Sequence, residues 1–279
     1  MNTRGKKLVD LPEGADSPLN AALTSRDRSV VQMATDAVRH KQCKLAYQAV
    51  MQANPPNDVA FYEGFIRVLD ETGRVIPAGE FMPHVEDTPI GRELDCVALE
   101  MGLRALVRNP DIRLSINMSA RSIGFTRWSR ILDRFLKRDE TLGKRLILEI
   151  SECSAMQVPE LVIDFMDRLQ SRDIAFALDD YGASNFSFRH FRDFLFDAVK
   201  IDGQFIRGVS ENADNQALVR ALIAVAREFE ILVTAESVEN QQDAEFLVAC
   251  GVDCLQGYLF GAPSVTPPWW SEKGQRATA

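Results

Sequence analysis

Ala175-Phe176-Ala177-Leu178-Asp179-Asp180 is a short apolar run that closes on two adjacent carboxylates. The same pattern recurs in Leu146-Ile147-Leu148-Glu149, in Ala198-Val199-Lys200-Ile201-Asp202, in Ile231-Leu232-Val233-Thr234-Ala235-Glu236 and in Val252-Asp253-Cys254-Leu255-Gln256. Helix-length segments separate each run from the next. Strand alternating with helix predicts a parallel sheet. Such a sheet aligns the carboxyl ends of its strands, so the terminal polar groups converge on one rim. Crowded carboxylates repel one another unless cations neutralise them. The rim therefore reads as a divalent-metal site, and the chain as an enzyme.

Working outward, residues 43–50, 59–68 and 112–117 read as further strands, with Asp70-Glu71-Thr72-Gly73 a turn after the second. Helical spacing is expected over 27–40, 91–108, 127–137, 159–172, 187–195, 215–229 and 241–250, and Gly251 stands where a helix-ending glycine belongs. About eight strands result, the number of an α/β, TIM-like (β/α)8 barrel. Residues 1–24 read as a flexible leader, 25–265 as the barrel and 266–279 as a tail, whose Pro267-Pro268-Trp269-Trp270 is expected on the surface. No sensor domain is read ahead of the barrel, so regulation is expected from partners, expression or oligomeric state.

The 279 residues are 46% hydrophobic and carry a formal net charge of -8. That suffices for one large core and argues against a nucleic-acid polymer as partner. Five scattered cysteines form no paired framework, and no run approaches a membrane span, so a reduced cytoplasmic compartment and no membrane partner are expected.

Strand side chains alternate, so parity tests which polar residues can meet. Glu63 and Arg67 share a face, as do Ser115 and Asn117, Lys200 and Asp202, and Thr234 and Glu236. Asp179 faces the way of Ala175 and Ala177, while Asp180 can turn over the rim. Ile112, Leu114, Ile116, Leu146, Leu148, Val199, Ile201 and Val233 take the opposite face and are expected to pack outward against helices. Any single Asp or Glu after a strand is most simply a helix cap or turn residue. At least six such residues at equivalent places on separate strands weaken that reading. An oxygen-rich set with one amide and no histidine suits Mg2+ or Mn2+ rather than zinc.

Read in order, these segments resemble the EAL family of bacterial cyclic di-GMP phosphodiesterases over residues 27–265. Ala46-Tyr47-Gln48, Glu63-Gly64-Phe65-Ile66-Arg67, Ser115-Ile116-Asn117-Met118-Ser119 and Leu148-Glu149-Ile150-Ser151-Glu152 match its motifs. So do Leu178-Asp179-Asp180-Tyr181-Gly182, Val199-Lys200-Ile201-Asp202, Ala235-Glu236-Ser237-Val238-Glu239 and Gln256-Gly257-Tyr258-Leu259-Phe260. The resemblance implies a barrel in which one strand can run antiparallel, and two metal ions. Glu63, Asn117, Glu149 and Asp179 would hold one ion; Asp179, Asp180 and Glu236 would hold the other. Lys200 would orient the attacking water with Glu236 as base. Gln48, Arg67, Asp202, Glu239 and Gln256 would contact substrate or hold that shell, and Glu152 would anchor the loop after Asp180. Cyclic di-GMP is the implied ligand and a homodimer the implied assembly, with an unidentified regulatory protein as a further candidate partner.

The sequence departs from the family pattern at Gly64, at Ala49 in place of a proline, at Ser237 in place of a glycine, and in Gly182-Ala183-Ser184-Asn185-Phe186-Ser187. The last, where the family reads Gly-Thr-Gly-Tyr-Ser-Ser, is expected to cost a hydroxyl at Ala183 and a permissive backbone at Ser184. Three readings follow: a hydrolase giving linear pGpG, a weakened member acting as cyclic di-GMP receptor or protein-binding regulator, and an unrelated barrel enzyme for another phosphate ester.

Overall fold

The computed structural model describes residues 18–54, 58–184, 188–267 and 269. Helix α1 (Pro18–Arg39) leads into two long strands, β1 (Cys43–Gln52) and β2 (Val59–Leu69), which pair antiparallel. A short β3 (Val75–Pro77) pairs with the outer end of β2. After α2 (Ala78–Val85) and α3 (Pro89–Arg108), strand and helix alternate through β4 (Leu114–Asn117), α4 (Thr126–Leu136), β5 (Leu146–Ser151), α5 (Glu152–Gln157), α6 (Pro159–Gln170) and β6 (Ala175–Tyr181). The chain continues through β7 (Ala198–Ile201), α7 (Gly203–Ile206), α8 (Ala213–Glu228), β8 (Leu232–Ala235), α9 (Gln241–Cys250) and β9 (Cys254–Leu255).

Strands β2, β4, β5, β6, β7, β8 and β9 pair side by side in parallel, and β9 meets β1 antiparallel, which closes the ring. The result is the expected α/β, TIM-like barrel, with β1 running against the other strands of the ring. Round the ring, β7 lies opposite β2, reached through β4, β5 and β6 one way and through β1, β9 and β8 the other.

The apolar face predicted from parity is buried as expected: Leu114, Ile116, Leu146, Leu148, Val199, Ile201 and Val233 all lie in the core. Partly buried Ile112 packs against it. Two glycines shape the wall at Ile116. A Cβ on Gly102 of α3 would stand 2.7 Å from Ile116 Cδ1, and one on Gly64 of β2 2.9 Å from it. The glycine in Glu63-Gly64-Phe65 thus makes room for a branched neighbour on β4.

Four expectations change. Helix α1 begins at Pro18, inside the expected leader, while residues 1–17 lie outside the described part. The helix expected over 187–195 is a 3-10 segment, Phe188–Arg192. Its last turn ends at Arg192, and buried Phe194 already lies beyond it in the irregular link to the next strand. The strand expected from residue 112 starts at Leu114. The tail does not simply lie on the surface: the Trp269 ring packs edge-on against Tyr47 and Tyr62 at 5.1 and 4.4 Å, close after Ser264 bridges to Tyr47 at the end of the barrel segment. Pro268 and residues 270–279 of the tail lie outside the described residues, as do Asn185-Phe186-Ser187.

Candidate active site

Lys200, from β7, is a buried lysine with 1% exposure, and its side chain reaches across the barrel axis. Its ammonium donates at 2.8 Å to Glu63 Oε2 on β2 and at 2.8 Å to Glu149 Oε2 on β5. It lies 2.5 Å from Glu236 Oε1, just past β8, and 3.4 Å from Asp179 Oδ1 on β6. An ammonium has three protons, and three carboxylates lie within donor range. These four acids surround one cation, and burial sharpens every interaction among them.

Each acid responds differently. Burial would raise Glu63, but Lys200 and hydrogen bonds from Lys200, Gln256 and Asn117 hold its carboxyl below the usual range. Its Oε1 accepts Asn117 Nδ2 at 2.6 Å, and its Oε2 accepts Gln256 Nε2 at 2.7 Å. Glu149 goes the other way, well above the ordinary value, because burial and the Glu63 charge outweigh Lys200. Glu236 is also raised well above it, by burial against the attraction of Lys200. Lys200 itself is held well above its ordinary value, since the surrounding acids overcome the cost of burying its charge.

Asp180 follows a break in the β6–β7 register and has a positive φ of 57°. That left-handed residue turns its side chain over the rim, as parity predicted. Withdrawal from bulk water, then Asp179 and Asp202, lift its carboxyl to about 6. Beneath this loop the buried Glu152, in the first turn of α5, accepts Gly182 N at 2.8 Å and Ser184 Oγ at 2.6 Å. The expected loss at this loop is therefore corrected in part. Ser184 has no positive φ and needs no glycine, and its hydroxyl reaches the carboxylate while Ala183 is exposed.

Above these groups opens a cavity of about 650 Å³, within the ~300–1,000 Å³ of small-molecule sites. Gln48, Arg67, Asn117, Asp179, Asp180, Glu236, Glu239 and Gln256 line it, as does Glu63 at its floor. Gln256 Nε2 also approaches Gln48 Oε1 at 3.2 Å, and Gln48 Nε2 donates to Gly261 O, so the two amides brace each other. Arg67 donates to Ile66 O and lies over the Phe65 ring at 5.4 Å. Asp202 is not brought into the lining: it caps α7 by accepting Gln204 N at 2.6 Å. Arg207, Tyr258 and Asp95 line the cavity without having been singled out in the sequence. Asp95 sits mid-helix in α3, and Arg207 follows a four-residue helix. Neither place has a strand-end signal.

Among the described residues, no three Asp, Glu, His or Cys side chains stand ready-spaced around a cation, because the Lys200 ammonium lies between the carboxylates. The donor set nonetheless fits a hard cation. Glu149 Oε1 and Asp179 Oδ1 are buried with no hydrogen-bond donor, a costly state for a carboxylate oxygen. Five acids, Glu63, Glu149, Asp179, Asp180 and Glu236, face one lysine. If all ionise, the deficit matches the charge of two divalent ions.

An α/β barrel with an acidic, oxygen-rich cluster at the carboxyl ends of its parallel strands has its polar groups where barrel folds carry their functional sites. The EAL domain model matches residues 31–263, and the chain belongs to that family. It is 28% identical over 207 residues to the cyclic di-GMP phosphodiesterase PdeF of Escherichia coli, covering 73% of this chain and 28% of PdeF. It is 27% identical over 231 residues to the cyclic di-GMP phosphodiesterase PdeB of Shewanella oneidensis, covering 81% of this chain and 27% of PdeB. The chain thus spans little more than a quarter of the length of these relatives. Among solved structures, the PaMucR phosphodiesterase in complex with c-di-GMP superposes with a TM-score of 0.74 at 26% identity, covering 87% of this chain and 99% of that one. The FimX EAL domain from Pseudomonas aeruginosa, bound to c-di-GMP, shares the fold with a TM-score of 0.77 at 22% identity, covering 85% and 97%. Among the described residues, no helix is long and apolar enough to cross a membrane.

Proposed function

We propose that the chain is a metal-dependent phosphodiesterase that opens cyclic di-GMP to linear pGpG. One observation carries this reading: Lys200 bonds Glu63 on β2, Glu149 on β5 and Glu236 just past β8, at the floor of a ligand-sized cavity. Glu63, Asn117, Glu149 and Asp179 would hold one ion, and Asp179, Asp180 and Glu236 the second, as Mg2+ or Mn2+. Two such ions supply an activated water and stabilise charge on the phosphoryl oxygens of an in-line displacement.

The protein's own groups do the rest. Glu236, just past the end of β8 beside the Lys200 ammonium, accepts the proton of the attacking water. Lys200, hydrogen-bonded to the acids on either side, orients that water. The water oxygen bonds to phosphorus, the bond to the ribose 3′ oxygen breaks, and that oxygen leaves and takes up a proton. Arg67 offsets substrate charge at the β2 wall, Gln48 and Gln256 fix the walls beside Glu63, and Glu152 holds the loop that carries Asp180. Asp202 supports the site through α7 and by its contact with Asp180. A homodimer and a reduced cytoplasmic location belong to the same reading.

The alternative is a cyclic di-GMP receptor or protein-binding regulator with little turnover. The absence of a hydroxyl at Ala183 favours it. Product chromatography of cyclic di-GMP incubated with purified protein and Mg2+ or Mn2+ separates the two. Linear pGpG is expected; bound but intact ligand would establish the receptor.

A further inference from the structure

Arg67 and Arg207 are the two basic side chains among the described residues that line the cavity, against seven acidic ones. Arg67 stands on β2, while Arg207 follows β7 by way of α7, so they occupy opposite walls of the mouth. A cyclic dinucleotide carries two phosphodiesters on opposite edges of its ring. In a cavity this acidic, each needs a local cation.

Arg207 is positioned for such a role although its side chain is 58% exposed. Its Nη2 donates to Ser237 Oγ at 3.0 Å, and its Nε lies 3.4 Å from Glu239 Oε1. Nη1 has no partner among the described residues, so one edge of the planar fork stays open to an anion. Its backbone is fixed as well. Arg207 N donates to Gly203 O, and Gly208 N donates to the buried Asp243 Oδ2 at 2.9 Å.

Ser237 is an unusual anchor. It has a φ of 54°, the left-handed region that favours glycine. Its side chain fits because residue 203 is glycine: a Cβ there would collide with the Ser237 hydroxyl and stand 3.3 Å from Arg207 Cζ. Serine at 237 and glycine at 203 are thus complementary, and what they hold together is the Arg207 guanidinium. A strained residue kept at a cavity rim points to a function.

We propose that Arg207 binds the substrate phosphodiester on the side away from Arg67, and that Ser237 and Glu239 position it. This assignment rests on the cyclic di-GMP reading above. Glu239 then acts through Arg207 rather than by facing a phosphate itself.

The test measures dissociation constants by calorimetry in EDTA, which prevents turnover, for cyclic di-GMP and for 3′,5′-cyclic GMP, which has a single phosphodiester. Arg207→Ala is expected to weaken cyclic di-GMP roughly tenfold or more, as the loss of a charge-assisted hydrogen bond does, and to weaken the single-phosphate ligand less. Arg207→Lys keeps the charge without the fork and should fall between. Ser237→Gly relieves the left-handed strain, so its thermal midpoint should stay level or rise while cyclic di-GMP affinity falls. A purely structural role would move both the same way. If the wild type binds cyclic di-GMP and Arg207→Ala binds it equally well, the assignment is overturned while the functional reading stands. If the wild type neither binds cyclic di-GMP in EDTA nor hydrolyses it with Mg2+ or Mn2+, the functional reading falls and the assignment with it. If it hydrolyses the ligand but binds none in EDTA, Arg207→Ala must raise KM roughly tenfold with metal present, and an unchanged KM overturns the assignment.

Discussion

At the scale of single residues, Ser184 and Asp95 make sharp claims. The Ser184 hydroxyl donates to Glu152, which also accepts Gly182 N, so one buried carboxylate holds the loop that follows Asp180. Ser184→Ala should lower kcat roughly tenfold, because small misplacements of reacting groups are costly. It should leave cyclic di-GMP binding close to wild type. A kcat that does not change would mean that Gly182 N alone suffices. Asp95 is buried and accepts Ser119 N at 3.0 Å and Ser122 Oγ at 2.6 Å. Burial lifts it to about 6 despite those bonds. A carboxyl raised in the folded state keeps its proton where the unfolded chain has lost its own. Its stabilisation is therefore full below about pH 4 and is lost as pH rises through about 6. Asn accepts the same two bonds without ionising. Between about pH 4 and 7, denaturant curves of Asp95→Asn and wild type should diverge by on the order of 2 kcal/mol in favour of the variant. Parallel pH profiles would rule this out.

At the scale of elements, what could be read in advance depended on period. Parallel strands with one apolar face and a terminal carboxylate announce themselves, and β5, β6 and β7 fall where Leu146, Ala175 and Ala198 open their runs. Gln241–Cys250 is likewise fixed by its apolar spacing and by Gly251 at φ 87°. Three-residue β3 and four-residue α7 are too short for any period to register, and α2 contains Pro83, which reads as a break. Arg207 was invisible for this reason. Asp202 was visible, but as a polar strand end, and its sequence neighbours could not show that it caps α7. The C-terminal segment is a further case. Trp269 packs on Tyr47 and Tyr62, joining the tail to the antiparallel pair that closes the barrel. Truncation of a packed aromatic side chain costs several kcal/mol in a full core. Trp269 is only partly buried, so Trp269→Ala should lower unfolding stability by about 2 kcal/mol. Equilibrium urea unfolding measures it, and a loss below about 0.5 kcal/mol would mark the contact as surface decoration.

At the scale of the whole molecule, the barrel concentrates negative charge that one lysine offsets only in part. The strands bring Glu63, Glu149, Asp179 and Glu236 together whatever the bound state, and their repulsion opposes closure of the ring. Lys200 offsets that repulsion by bonding three of them across the axis. A divalent ion would compete for the same oxygens and also satisfy Glu149 Oε1 and Asp179 Oδ1. The lysine therefore both stabilises the metal-free protein and opposes metal binding. Lys200→Met should destabilise the protein in EDTA by roughly 3 kcal/mol, the scale for breaking a buried ion pair. Proton uptake by Glu149 and Glu236, both already raised, would soften that loss. Added Mn2+ or Mg2+ should then raise the melting temperature of the variant further than that of wild type, since a ligand of the folded state stabilises more the tighter it binds and no ammonium competes. Turnover should still be lost, because the water has lost its orienting group. Melting curves in EDTA and in excess metal decide the matter: if metal stabilises Lys200→Met no more than wild type, the ammonium and the cation do not share these carboxylates.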